Sequence, residues 1–401
     1  MFISNYKTKI LFVSTFPPRK CGIASFTQDL VNAIDHEVTD DIGIDVCALD
    51  KQKNKKLYTG EPVSMVMDSY QLDVCIETAK KINTDPCIKL ICIEHEFGLY
   101  GGELGEYLLG FLSLLDKPFI IRFHTVLPAP NNKMLKIVQS ITLLADKIIV
   151  MTKHSARLLK DDYEVSLDKI MIIPHGTHAN STTNKDELKR NYDLVNRQVL
   201  TTFGLLSPNK GIEEGILAMK EISVAFPQSI YLVLGQTHPN LLEQEGEKYR
   251  NYLQQLITDN DLEYNVRLIN EYVPTKELME YLALTDIYLF TSKDPNQAVS
   301  GTFLYAMSAS CPIISNSFVL AKEMLDEKTG VILTTNSEGE LAKHAIRILQ
   351  NPQLQKEMSN NAYLKTRNTT WEKVGQKHAK LFYNILDAPI LTPKESDLYI
   401  N

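Results

Sequence analysis

Short apolar runs alternate with helical patterns along nearly the whole chain, and this alternation limits the possible folds more than any other feature. Seven runs come before residue 178 and six after it: Ile10–Val13, Ile44–Ala48, Val63–Met67, Lys89–Ile93, Phe119–Arg122, Lys147–Met151 and Lys169–Ile173, then Val199–Phe203, Ile230–Leu234, Val266–Ile269, Ile287–Phe290, Pro312–Ser315 and Val331–Leu333. Strands of parallel sheets are buried on both faces and alternate with helices. The sequence therefore predicts an α/β protein with doubly wound parallel sheets.

The length of the chain predicts two domains. Its 401 residues exceed the size at which a single hydrophobic core usually divides. A polar segment from His178 to Asp193 has the composition of a linker that leads into a short helix. We predict a first domain over residues 1–177 and a second over residues 178–370. Apolar residues at helical spacing predict a further helix over residues 371–386.

The most informative stretch runs from Gln297 to Pro312, between two predicted strands. Ser300 is placed as a helix N-cap, and Gly301 lets the backbone come close to a ligand. The first turn of such a helix has unpaired N–H groups and the positive end of the helix dipole, which together bind anions such as phosphate. An ordinary capped helix that packs on a sheet would have the same sequence pattern.

Two more strand-to-helix turns make a phosphate ligand the favoured interpretation. Residues 203–211 read Phe-Gly-Leu-Leu-Ser-Pro-Asn-Lys-Gly, which places Gly204 and Lys210 after a strand, where open α/β sheets bind ligands. A lysine there can serve as a point charge for phosphate, or it can be a solvated loop residue. Near the N-terminus, Gly22 opens a helix after the first strand. A single glycine is weaker evidence for a phosphate-binding turn than a full dinucleotide-binding fingerprint.

Together these motifs resemble those of the family-four nucleotide-sugar glycosyltransferases, which have the two-domain GT-B fold. The loop before Gly22 is similar to the glycine loop of that family, and residues 204–211 are similar to its phosphate-lysine loop. Three more segments are similar to family segments: Glu94–Gly102 and Phe123–Thr125 to its cleft loops, and Pro174–Gly176 to the end of its first domain.

The resemblance implies two Rossmann-like domains that face an interdomain cleft, with the 371–386 helix crossing back onto the first domain. The acceptor would bind the first domain and the donor the second. The donor diphosphate would contact Lys210, Ser300, Gly301 and Thr302. Closure of the cleft would exclude water.

The resemblance also implies retention of anomeric configuration without a protein nucleophile. His124 and Gln297 are the candidates for hydrogen bonds to the transferred sugar, and His124 could instead be a loop histidine with structural partners only. The acceptor would be a glycan or another hydroxyl compound. A role in building a surface glycan follows from the resemblance alone.

Three departures from the family pattern concern donor recognition. Gln297 and Tyr305 stand where the family usually has two glutamates, which contact the donor sugar and the ribose; Leu205 stands where it usually has an arginine. Gln297 can still hydrogen-bond a sugar, but Tyr305 cannot accept two ribose hydroxyls as a carboxylate does. Arg19, Lys20 and Arg267 are candidates to replace the arginine. Altered donor recognition, loss of activity, a non-catalytic binding subunit, and a GT-B phosphorylase or epimerase remain open.

The composition excludes some function classes. The 42 basic and 49 acidic residues give a net charge of −7, which disfavours general nucleic-acid binding. The basic run Lys51–Lys56 predicts a solvated loop, or a weak contact with anionic lipid. The predicted helix Lys133–Leu144 could touch a membrane or pack in the core.

No apolar stretch approaches the ~20 residues of a membrane span. Six cysteines without metal-ligand spacing predict reduced thiols and a cytoplasmic location, with peripheral contact at the inner membrane face as an alternative. We expect no metal and no cofactor beyond a UDP- or GDP-linked sugar donor.

Overall fold

The computed structural model describes residues 8–181 and 183–386. These residues form two compact units. The first unit comprises the described residues up to Gly176 together with those from Trp371 onward, and the second runs from Thr177 to Thr370.

Each unit is built on one parallel sheet. The strands, in chain order, are β1 (Thr8–Ser14), β2 (Ile42–Leu49), β3 (Val63–Met67), β4 (Ile88–His95), β5 (Phe119–Phe123), β6 (Lys147–Val150), β7 (Ile170–Ile172), β8 (Val199–Phe203), β9 (Ile230–Leu234), β10 (Val266–Ile269), β11 (Ile287–Phe290), β12 (Ile313–Ser315) and β13 (Gly330–Ile332). The first sheet has the order β3-β2-β1-β4-β5-β6-β7, and the second has β10-β9-β8-β11-β12-β13. All thirteen predicted strands are present, with ends that differ by a few residues at most.

Helices cover both faces of each sheet. They are α1 (Gly22–Asp35), α2 (Leu72–Thr84), α3 (Tyr107–Leu112), α4 (Asn132–Leu144), α5 (Lys153–Asp161), α6 (Lys185–Asn191), α7 (Ile212–Ala225), α8 (Pro239–Glu245), α9 (Lys248–Asp259), α10 (Thr275–Leu284), α11 (Gly301–Ser308), α12 (Val319–Met324), α13 (Glu338–Leu349), α14 (Pro352–Thr366) and α15 (Trp371–Ile385). Because both faces are covered, the central strands have no polar side: residues 10–13 of β1 are fully buried.

The basic run at residues 51–56 was predicted as a loop, but residues Gln52–Leu57 form a 3-10 helix. The carboxylate of Asp50 organises this turn, since it accepts from the Lys51 amide at 2.7 Å and from the Asn54 side chain at 2.9 Å. Lys53, Lys55 and Lys56 are exposed, as a solvated segment requires.

The C-terminal helix α15 belongs to the first unit and packs closely on α1. A Cβ atom on Gly375 would lie 2.5 Å from the carbonyl oxygen of Ala33. Only glycine therefore fits at the point where these two helices approach each other. Beyond α1, the Tyr383 hydroxyl accepts from the Thr39 amide at 3.1 Å. A segment that follows the whole second unit in sequence thereby becomes part of the first unit's core.

Both sheets have a topological switch point. In the first sheet it lies between β1 and β4, and in the second between β8 and β11, because successive strands lead in opposite directions from these pairs. Loops that leave such strands at their C-terminal ends diverge and open a crevice, which is where open α/β sheets bind ligands. The fold thus identifies four loops as the first places to look for a site.

A buried carboxylate fastens the linker helix α6 to the second sheet. Asp286, just before β11, accepts from Lys185 at 2.7 Å and Lys189 at 2.8 Å, both on α6, and from the Val199 amide at 2.7 Å. Burial opposes ionisation of Asp286, but the two lysines outweigh it and hold its pKa below the ordinary value. The ion cluster therefore stabilises the fold only while Asp286 is ionised.

Replacing Asp286 with Asn should destabilise the second unit by about 3 kcal/mol, because two lysines lose their buried counter-charge. Thermal unfolding at pH 7 measures this as a fall of roughly 6–12 °C in melting temperature. The loss should shrink in acid, because a carboxyl with a lowered folded pKa stops stabilising the fold as pH falls through that pKa.

Asp326→Asn is the matched control, because Asp326 pairs with Lys365 at 2.8 Å but its side chain is 57% exposed. An exposed pair contributes less than about 1 kcal/mol. Equal effects of the two substitutions would contradict a special role for the buried cluster.

Candidate functional site

In the second unit, the loops that follow β8 and β9 meet at two glycines. Gly204 has a φ of +135° and Gly235 a φ of +140°, values that side chains rarely permit. A Cβ on Gly235 would lie 2.0 Å from the carbonyl oxygen of Gly204, so the two loops touch through their backbones. A Cβ on Gly204 would lie 3.4 Å from the Thr302 side chain on α11. The glycine loop is therefore in contact with the first turn of α11.

Lys210 lies in the same loop, and hydrogen bonds of its backbone carbonyl and amide fix its position. Its carbonyl accepts from the Thr291 hydroxyl at 2.8 Å, and its amide donates to Ser207 at 2.9 Å. The next residue, Gly211, is left-handed, and a Cβ there would meet the Thr291 carbonyl at 2.4 Å. The loop after β11 and the lysine loop are thus locked together at the switch point.

The Lys210 side chain is partly buried. Among the described residues it makes no hydrogen bond or ion pair at contact distance. Burial lowers its pKa, and the negative charge of Asp294 only partly offsets this. A buried cation in this state is stabilised by an anion that takes the place of the lost water.

The first turn of α11 has the features of an anion site. The Ser300 hydroxyl caps the helix by accepting from the Phe303 amide at 3.3 Å, and it contacts the Thr302 hydroxyl at 3.1 Å. Within the described chain, the amide N–H groups of Gly301 and Thr302 have no acceptor. Together with Lys210 from the facing loop, they can bind a diphosphate.

Gln297 and Tyr305, the two departures from the glutamate pattern, have different surroundings. The Gln297 amide is engaged by its own loop, since Nε2 donates to the Val299 carbonyl at 3.0 Å and Oε1 accepts from Ser292 at 3.3 Å. Tyr305 stacks on Phe203, with ring centroids 6.4 Å apart and planes 15° apart. Tyr305 therefore adds an aromatic surface where a carboxylate would supply charge.

The arginine position also lacks charge, because Leu205 is partly buried beside Gly204. Of the proposed replacements, Arg19 and Lys20 lie in the loop after β1 of the first unit. Arg267 lies inside β10, paired with Leu232. Arg267 is therefore not placed with the loops that follow β8 and β11, and that suggestion was wrong.

His238 is a candidate that the sequence reasoning missed. Its amide donates to the Leu206 carbonyl at 3.0 Å, and its Nδ1 accepts from the Asn240 amide at 3.2 Å. Nε2 is then the protonated nitrogen and a donor. Burial lowers the pKa of His238, and the charge of nearby Lys210 lowers it further. Only the pairing of the β8 and β9 loops brings the two side chains together.

In the first unit, Gly22 opens α1 after the loop that follows β1. The preceding residue, Cys21, has an extended backbone, and its side chain does not cap the helix. The first-turn N–H groups therefore have no acceptor from the Cys21 side chain. A Cβ on Gly22 would have no neighbour within 4 Å. The space beside this backbone is open, unlike the space beside Gly204.

His124 follows β5 and is hydrogen-bonded to a buried carboxylate. Its Nε2 lies 2.7 Å from Oε2 of Glu94, and Nη1 of Arg122 lies 2.9 Å from Oε1 of the same residue. Burial opposes the ionisation of Glu94, but Arg122 and His124 outweigh it and hold its pKa below the ordinary value. Glu94 therefore accepts from both neighbours, and His124 keeps Nδ1 for other partners.

The Glu94–Gly102 loop is hydrogen-bonded both within itself and to neighbouring segments. Glu96 accepts from the Thr125 hydroxyl at 2.6 Å and from the Phe97 amide at 3.1 Å. His95 is fully buried, and burial followed by the charge of His124 lowers its pKa to about 3. The Glu94 and Glu96 carboxylates are thus both paired within the first unit.

His175 and Gly176 lie where the chain leaves the first unit. The His175 ring packs on Phe26 and Trp371, at 4.9 and 5.5 Å between centroids, and burial lowers its pKa to about 4. A Cβ on Gly176 would lie 2.1 Å from the Trp371 ring. His175 and Gly176 therefore pack the segment that follows β7 against Trp371, the first residue of α15.

The described residues contain neither a candidate metal centre nor a candidate membrane span. No group of three or more His, Cys, Asp or Glu side chains in residues 8–181 and 183–386 could hold a metal ion. None of the helices described above is both long and apolar enough to cross a membrane.

Comparison with known proteins supports a relation to glycosyltransferases. Residues 184–365 match the family described as "Glycosyl transferases group 1". Alpha-monoglucosyldiacylglycerol synthase of Acholeplasma laidlawii is 25% identical over 183 residues, which are 45% of this chain and 42% of that enzyme. The chain therefore aligns with less than half the length of this curated relative.

Solved structures match over more of the chain. HepE of Anabaena, crystallised in complex with UDP-glucose, superposes with a TM-score of 0.72 at 18% identity, covering 94% of this chain and 99% of HepE. Sucrose-phosphate synthase of Thermosynechococcus elongatus gives 0.76 at 16% identity, covering 95% of this chain and all of that one. The second unit is thus similar in sequence to the group 1 glycosyltransferases, and the two Rossmann-like units match the GT-B fold.

Proposed function

We propose that this chain is a glycosyltransferase that moves a hexosyl unit from a nucleoside-diphosphate sugar to a hydroxyl acceptor, with retention of configuration. The observation that carries the proposal is the contact of the loop that contains Lys210 with the first turn of α11, through Gly204 and Thr302, at the switch point of the second sheet. Among the described residues, the partly buried ammonium has no counter-ion and the two amides have no acceptor, so they suit an anion, and a diphosphate fits this chemistry.

The donor diphosphate is assigned to Lys210, Ser300, Gly301 and Thr302. As the glycosidic bond breaks, the leaving diphosphate gains negative charge, and fixed donors stabilise it without reorganisation. His238 supplies one more donor, Nε2–H, beside Lys210, and is proposed to take over the contact that an arginine at position 205 would make. The complex of HepE with UDP-glucose favours a UDP-linked donor for this chain as well.

Tyr305 and Gln297 are assigned to the nucleoside and the sugar. Tyr305 offers a ring face held by Phe203, and its hydroxyl can make one hydrogen bond to a ribose. Gln297 must exchange its bonds to Val299 and Ser292 for bonds to sugar hydroxyls. His124 of the first unit is proposed to bond a sugar hydroxyl through Nδ1.

A nucleotide-sugar-binding protein without transferase activity is the second candidate. It is favoured by the uncharged residues at positions 205, 297 and 305, and by the engagement of the Gln297 amide within its own loop. Both candidates predict donor binding, but only the transferase predicts release of nucleoside diphosphate when an acceptor is present. A GT-B epimerase would instead turn over the nucleotide sugar without an acceptor, and a phosphorylase would cleave a glycosidic bond with phosphate.

The substitution Lys210→Ala should weaken nucleotide-sugar binding and lower turnover at least tenfold, because the diphosphate loses its buried cation. Thermal-shift measurements with UDP, GDP, ADP and their sugars, followed by turnover assays, test this. Lys220→Ala is the control, since Lys220 is an exposed lysine on α7. A wild-type protein whose melting temperature none of these ligands raises would contradict the proposed function.

Gly22→Ala should leave folding intact and impair turnover, because the new methyl group meets no protein atom but occupies space open to a ligand. The melting temperature should stay within about 2 °C of wild type, as for neutral surface changes. The matched control is Gly339→Ala, another first-turn glycine, whose Cβ would meet only Glu221 at 3.8 Å. Full activity of Gly22→Ala would remove the loop after β1 from the ligand site.

A further inference from the structure

The C-terminal helix α15 reaches His124 through a series of buried polar contacts. His378 on α15 contacts a terminal nitrogen of Arg122, Arg122 donates to Glu94, and Glu94 accepts from His124. Glu94, Arg122 and His378 are each no more than 3% exposed, so water does not compete for these bonds. The contact from His378 to Arg122 joins residues 256 positions apart in sequence.

The chemistry of the groups fixes the direction of each bond. Arginine only donates, so Nε2 of His378 accepts from Arg122, and Nδ1–H donates to the Val374 carbonyl at 2.7 Å. Burial and the charge of Arg122 lower the pKa of His378 well below its ordinary value, which agrees with a neutral ring. Since the carboxylate of Glu94 only accepts, Nε2 of His124 carries a proton and donates.

A second contact from the same helix acts on His124 through an aromatic ring. Phe26 packs edge-on against His124, with centroids 4.9 Å apart, and against Trp371, the first residue of α15, at 5.3 Å. The guanidinium of Arg122 lies 5.0 Å from the centre of the same Phe26 ring. Helix α15 therefore contacts Phe26 directly and reaches Glu94 through Arg122, and Phe26 and Glu94 are the two groups that hold the His124 ring.

We propose that His378 is a positioning residue: it orients Arg122 so that Glu94 holds the His124 ring with Nδ1 available to substrate. An apolar side chain would fill the space around residue 378 equally well, but it would leave a buried Arg122 donor unsatisfied. Arg122 would then turn toward another acceptor, and Glu94 would lose one of its two partners. The catalytic consequence rests on the proposed function, but the orientation of the ring does not.

The test compares His378→Leu, which removes the acceptor, with His378→Gln, which retains one. Leu381→Ala is the control, because Leu381 is a buried residue of the same helix whose loss leaves a cavity without touching the polar contacts. We expect His378→Leu to lower kcat about tenfold or more at nearly unchanged donor affinity, as small misplacements of a reacting group do. His378→Gln should restore much of it, and Leu381→Ala should lose stability but keep kcat.

Nitrogen-15 NMR of the histidine rings gives a second readout that does not depend on activity. Wild type should show His378 protonated on Nδ1, and a His124 Nε2–H proton protected from exchange, which His378→Leu loses and Leu381→Ala keeps. If the wild-type protein shows no turnover, the proposed function is wrong. The NMR result alone then tests whether His378 positions the His124 ring. Retention of the His124 Nε2–H signal in His378→Leu, or equal losses of kcat in His378→Leu and Leu381→Ala, would overturn the proposal.

Discussion

The rest of the structure depends on where the order of each parallel sheet reverses. At the β8–β11 switch point two loops diverge, and each would be an ordinary turn by itself. Gly211 and Thr291 pack these two loops against each other, and we propose that Lys210 and the first turn of α11 there form one anion site. At the β1–β4 switch point of the first unit, the loop before Gly22 and the Glu94–Gly102 loop diverge in the same way. Strand order thus sets the position of each candidate site, and the residues of the loops set its chemistry.

The two units treat buried charge in opposite ways. Glu94 is ionised because Arg122 and His124 both pair with it at hydrogen-bond distance, so that charge is satisfied within the protein. Lys210 has no ion-pair partner among the described residues, and burial lowers its pKa while the charge of Asp294 only partly offsets this. A buried charge that the protein leaves unpaired is a common property of binding sites, because ligand binding then removes the electrostatic penalty. Glu94 is thus a charge that orients its neighbours, whereas Lys210 is a charge that we propose binds the ligand.

The local pattern of the sequence was enough to predict the strands and the helices around the site. Short apolar runs bounded by turns predicted β8 and β11, and Ser300 was predicted as the cap that the structure shows. The 3-10 helix at residues 52–57 was missed because one carboxylate, Asp50, organises it.

Contacts that depend on tertiary packing could not be predicted in this way. His238 joins Lys210 only through the pairing of two loops, and His378 joins Arg122 from the far end of the chain. Arg267 was suggested for a phosphate contact on charge alone, and its place inside a strand shows why residue type without position is insufficient. For the same reason, the sequence could not show that the Gln297 amide bonds to its own loop.

Hydrogen–deuterium exchange with and without UDP-glucose tests the central claim most directly, because it locates the ligand without requiring an acceptor. The account predicts slower exchange in two segments of the second unit, residues 204–211 and the first turn of α11, with the amides of Gly301 and Thr302 gaining acceptors. Protection that is absent from both segments while the protein binds the ligand would contradict the assignment of the diphosphate site.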